Sequence, residues 1–176
     1  MRMAAVIALV AASVARGGIV SYKMERLAIP STPSGTTAFA DAVGIDGNFI
    51  AGTTYLHDAQ NEVSYHATVW VGPDHRPGLL PTPTDFPHSQ IQGVSGDQAV
   101  GSVYDAEDTH SRASLWTNHG TTRIDLQRKG DRGSIAMGVS HGVQVGSVDT
   151  ANFETHAMLW RGSPARLRLD ACLACH

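Results

Sequence analysis

Apolar residues along this chain recur at every second position over short runs, and no stretch beyond the N-terminus sustains them at helical spacing. The clearest runs end in tryptophan: His66-Ala67-Thr68-Val69-Trp70, Arg112-Ala113-Ser114-Leu115-Trp116 and His156-Ala157-Met158-Leu159-Trp160. Strand alternation puts Ala67/Val69, Ala113/Leu115 and Ala157/Leu159 on one face, and His66/Trp70, Arg112/Trp116 and His156/Trp160 on the other. Both faces carry something to bury. That predicts sheets stacked on both sides.

The runs belong to a repeat. Ala42-Val43-Gly44-Ile45-Asp46, Ile91-Gln92-Gly93-Val94-Ser95 and Ala136-Met137-Gly138-Val139-Ser140 each precede a second glycine, at Gly52, Gly101 and Gly146. The period is about 45 residues, and each unit holds four short strand candidates; in the third they are 136–140, 143–148, 155–160 and 165–169. The expected fold is all-β: three four-stranded repeats, about 38–82, 88–128 and 133–170, within a domain of residues 16–170. Residues 22–29 resemble a unit's fourth strand, and an extra strand of that type at the N-terminus is what a circular β-propeller uses to complete its last blade. Three blades fall short of the roughly four to eight of a closed propeller. Closure then calls for a homo-oligomeric ring of two chains or a longer protein, with an open stack as the third arrangement. Mid-strand glycine marks close approach, so the tryptophans are expected to pack over Gly52, Gly101 and Gly146.

Composition agrees with short strands and tight turns: of 176 residues 18 are glycine, and only 16% are charged. The net charge is −3, and no basic stripe interleaves with aromatics, so nucleic acid is not an expected partner. Residues 1–15 read as a signal peptide, with Arg2 before the apolar run 3–12 and small residues at Ser13-Val14-Ala15. The run is too short to span a bilayer, which predicts an extracellular or periplasmic protein without a transmembrane segment.

The sharpest chemical motif is the tail, residues 171–176. Cys172, Cys175 and His176 form Cys-x-x-Cys-His, the attachment pattern of c-type haem, and they include the only two cysteines. A second axial ligand would come from Met158, Met137 or a histidine; a local disulfide, a metal-scavenging tail or the start of an absent cytochrome domain are the other readings. Gly138-Val139-Ser140-His141-Gly142 matches a nucleophile elbow, yet the same position recurs as a turn in every unit, and no helix is expected after it. The acidic loops 58–62, 105–108 and 149–154 lack the ligand spacing of a calcium loop, and the nine histidines form no zinc grouping. No metal is expected.

Gly-Val-Ser, then Val-Gly-Ser, then His-Ala-x-Leu-Trp resembles the HAF repeat of extracellular bacterial proteins, across residues 22–170. His66-Ala67 and His156-Ala157 match its first two letters; Arg112 replaces the histidine, and Thr68, Ser114 and Met158 replace the phenylalanine. The resemblance implies a secreted, propeller-like β protein and no reaction. The leading expectation is a non-enzymatic binding or structural module whose ligand is a glycan or envelope component, with equivalent sites on the three units. The competing reading is a c-type haem electron-transfer protein or a fragment of one.

Overall fold

The computed structural model describes residues 23–32 and 34–162; it is all-β, with eleven strands in three antiparallel sheets and no helix among those residues. The first sheet holds β1 (Thr37–Asp46), β2 (Phe49–His57), β3 (Val63–Val71) and β4 (Arg76–Leu79). The second holds β5 (His88–Ser95), β6 (Gln98–Tyr104), β7 (Ser111–Thr117) and β8 (Thr122–Asp125). The third holds β9 (Gly133–Ser140), β10 (Val143–Asp149) and β11 (Thr155–Trp160). Strands lie in chain order within each sheet, one sheet to each predicted unit. The strand expected at 165–169 and the leader at 1–15 lie outside the described residues.

Two-residue loops join the first two strands of every sheet: Gly47-Asn48, Gly96-Asp97 and His141-Gly142. Gly47, Gly96 and Gly142 take positive φ of 57°, 61° and 77°, the backbone that matches a tight hairpin to the twist of its strands. Behind each turn the first strand carries one extra residue: Val43, Gln92 or Met137. The bulge lays the carbonyl of Asp41, Gln90 or Ile135 against the glycine opposite, where any β-carbon would overlap the oxygen. Gly52, Gly101 and Gly146 therefore answer to neighbouring backbone. The expectation that tryptophan rings cover them is corrected.

The tryptophans seal the junction to the preceding segment instead. Trp116 Nε1 donates to the Pro81 carbonyl at 3.0 Å, and Trp70 Nε1 donates to the Ala28 carbonyl at 2.6 Å. Pro81 follows Leu80 at the end of the first unit, just as Ala28 follows Leu27. Residues 23–32 thus do for the first sheet what the end of one unit does for the next. They do it as irregular backbone against the first sheet, which corrects the expectation of a fourth-type strand completing the last blade.

Adjacent sheets pack face to face. Ala67 and Val69 meet Ile91, Ala99, Val103 and Trp116, while Ala113 and Leu115 meet Ala136, Val148, Met158 and Trp160. Ser89 Oγ accepts the Ala67 amide at 2.8 Å, and Ser134 Oγ accepts the Ala113 amide at 2.9 Å. Leu80 and Leu126 amides return to the carbonyls of the same two alanines. Both alanines are fully covered, so a larger side chain has no room. The first sheet holds Ala40 at the serine position, under Leu27 and Ile29. On the third sheet Ala157 is exposed, Val145 is 46% exposed, and no sheet lies over them among the described residues.

Candidate functional site

Opposite the tight hairpins, the strand ends gather aromatic side chains. The register β1–β2–β3 aligns Phe39, Tyr55 and Tyr65 as neighbours on one face, and β5–β6 aligns His88 with Tyr104. Phe39 and Tyr55 stack with centroids 4.9 Å apart and 12° between planes, and His57 tilts against Phe39 at 5.4 Å. Tyr65 joins the two sheets, lying 4.7 Å from His88 and 5.6 Å from Tyr104. Its phenol donates to Asp108 Oδ1, which also meets His88 Nδ1 at 3.1 Å. All six rings are partly exposed.

Burial pushes the Tyr65 phenol up, and the bond to Asp108 pushes it further. Burial also raises Tyr55 and Tyr104; Asp41 adds to the first, and Asp108 and Tyr55 add to the second. These phenols keep their protons through neutral pH and act as donors as well as acceptors. Burial, then the nearby His88, lowers His66, whose Nε2 lies 3.2 Å from Ser64 Oγ. The result is a partly exposed cluster of stacked and tilted rings edged by neutral hydroxyls and the carboxylates of Asp41 and Asp108. It suits a polyhydroxylated ligand with apolar faces.

The surface belongs to two units only. At the places of Phe39, Tyr55 and Tyr65 the second unit has His88, Tyr104 and Ser111, and the third has Gly133, Asp149 and Thr155. Asp149 there accepts from Thr155 Oγ1 at 2.6 Å. The expectation of equivalent sites on all three units does not hold for this surface.

Other sequence candidates take structural places. Ser140 ends β9, and His141-Gly142 turns the chain directly into β10, so the elbow-like motif is a hairpin; Ser140 Oγ meets its neighbour His141 Nδ1 at 2.8 Å. The acidic loops close on themselves. Asp58 Oδ1 accepts the amides of Gln60 and Glu62, and Asp105 accepts from Thr109 and His110. Burial alone would raise the Asp105 carboxyl, yet those bonds outweigh it and hold it well below the usual carboxylate range. Among the described residues no group of three or more metal-ligating side chains converges. His156 pairs with Glu154 at 3.4 Å. Cys172, Cys175 and His176 lie outside the described residues. No helix among the described residues is long and apolar enough to cross a membrane.

Sequence reasoning passed over the aromatic surface because aromatics make up only 6% of the chain. Three of the four tyrosines nevertheless meet in one place, and counting three positions on from Gly52 and Gly101 would have aligned Tyr55 with Tyr104. Comparison with protein-family models, with curated proteins and with solved structures returns no match.

Proposed function

We propose that this chain is a secreted, non-enzymatic β-repeat module that binds a glycan or other envelope component through the aromatic surface of its first two sheets. The surface of Phe39, Tyr55, His57 and Tyr65 is the observation behind this reading. Aromatic faces pack on the C–H faces of sugar rings, and phenols and carboxylates at the edge meet hydroxyls. The leader-like residues 1–15 and the HAF resemblance support export, and the resemblance brings no reaction with it. A propeller-like arrangement is supported by the first strands, which run beside one another: a β-carbon on Gly44 would meet Val94 at 3.4 Å, and one on Gly93 would meet Gly138 Cα at 3.3 Å. Further units, from a second copy or a longer protein, would extend it past the third sheet.

A glycan array followed by calorimetry tests the binding reading. Wild type should bind at least one neutral saccharide, and Phe39→Ala with Tyr55→Ala should abolish that binding while leaving the melt cooperative. Absence of binding across the panel would remove the glycan reading. The competing haem reading, on Cys172, Cys175 and His176, predicts a haem absorption band after export in a host with haem-attachment machinery; a colourless protein eliminates it.

A further inference from the structure

The two junctions between sheets are built alike but filled differently. At the first, Tyr65 lies against His88 and Tyr104. At the second, the corresponding residues are Ser111, Gly133 and Asp149, and a β-carbon on Gly133 would stand only 3.4 Å from Ser111 Oγ. Small side chains replace rings. A cleft of about 340 Å³ opens there, lined by Ser111, Arg112, Gln127 and Arg132, with His110, Asp131 and Phe86 completing the wall.

Its lining carries two guanidiniums, Arg112 and Arg132, and one carboxylate, Asp131; the Asp149 carboxylate stands beside Gly133 at the same junction and accepts from Thr155. Arg112 shares Asp125 with Arg123, at 3.3 and 3.7 Å, so one carboxylate serves two guanidiniums. Asp131, the carboxylate in the wall, is held by Arg128 through two bonds of 3.1 Å. Arg132 has no carboxylate partner among the described residues; its guanidinium lies 3.8 Å above the Phe153 ring, and Arg112 lies 4.5 Å above Phe86. The rings hold both cations in place; Arg132 keeps its N–H groups as donors, and Arg112 keeps those not engaged by Asp125. Ser111 adds a hydroxyl beside them, and Gln127, whose Nε2 donates to the Asp131 carbonyl at 2.7 Å and whose Oε1 accepts from Ser134 Oγ at 3.2 Å, keeps one N–H to offer. The volume is at the small end of the roughly 300–1,000 Å³ of ligand clefts.

The geometry points to a second binding site in this cleft, for an acidic sugar whose carboxylate meets Arg112 and Arg132 and whose hydroxyls meet Ser111 and Gln127. It is independent of the aromatic surface, which has no arginine. The site takes its charge preference from Arg132 and its room from Ser111.

Titration of the full chain with free glucuronate, followed by amide and guanidinium NMR, tests this directly. Saturable shifts at Ser111, Arg112 and Arg132 are expected, absent with glucose and not reproduced by inorganic sulfate. Arg132→Gln should weaken glucuronate by about tenfold or more, the worth of a charge-assisted bond. Ser111→Tyr, which imports the side chain of the first junction, should block the cleft; exposed Arg132→Gln decides the matter if Ser111→Tyr does not fold. No saturable shift with glucuronate, sulfate binding as tightly as glucuronate, or affinity unchanged in Arg132→Gln would each overturn the assignment.

Discussion

Gly101 has the Gln90 carbonyl oxygen where a β-carbon would stand, and that oxygen is fixed by the bulge at Gln92. Backbone cannot swing aside as a side chain does. Gly101→Val should therefore destabilise by about 3 kcal/mol, the upper end of the usual overpacking cost, read as a lower denaturant midpoint. A second residue-scale consequence concerns pH. Burial, then His88, lowers His66 from its ordinary 6.5, so below about that pH the unfolded chain binds its proton more tightly than the folded one. Stability is then full above the ordinary value and falls as pH drops through the folded one. The melting temperature should be lower at pH 5 than at pH 7.5, with His66→Gln flattening the difference; a higher melting temperature in acid would contradict this. The raised tyrosines work in the other direction. Above about pH 10 the unfolded phenols ionise first, and stability falls again as pH rises.

Between elements, the recurrent device is a serine reaching from the first strand of one sheet to the alanine amide in the third strand of the sheet before. Ser134→Ala leaves the buried Ala113 amide without its acceptor and should cost about 1–3 kcal/mol in denaturant unfolding. Restoring a hydroxyl as Ser134→Thr should recover part of it. How much of this was legible in the sequence depends on period. The strands of the third-strand type, with Ala67/Val69 and Ala113/Leu115 on one face, were readable because alternation has a fixed repeat of two. The bulges were not, since one inserted residue at Val43, Gln92 or Met137 shifts register without changing the pattern of residue types. Leu27-Ala28-Ile29 was legible only as a fourth-type strand, of the kind that completes the last blade of a ring; its place as irregular chain against the first sheet was not, because that role rests on two apolar contacts and one carbonyl rather than on a ladder.

Across the whole molecule, the stack has unlike ends. Ala40 replaces the junction serine on the first sheet, and Leu27 and Ile29 cover it; the third sheet offers Val145, Leu159 and Ala157 where earlier sheets receive a neighbour. An apolar face that no described residue covers favours association. The chain should self-associate with rising concentration in sedimentation velocity, and Val145→Glu should shift it toward monomer; indifference to that substitution would refute the assignment of the face. The aromatic surface is also a whole-molecule property, since Phe39, Tyr55, Tyr65, His88 and Tyr104 come from five strands of two sheets. No local motif announces it.

The most direct measurement is an amide NMR map of the full chain titrated with a neutral saccharide selected on the array. Shifts confined to Phe39, Tyr55, His57, Tyr65 and Tyr104, with none at Gly133, Asp149 and Thr155, are expected of a module that binds through its first two sheets. Saturable shifts centred elsewhere, or equal shifts at all three sets of equivalent positions, would contradict it.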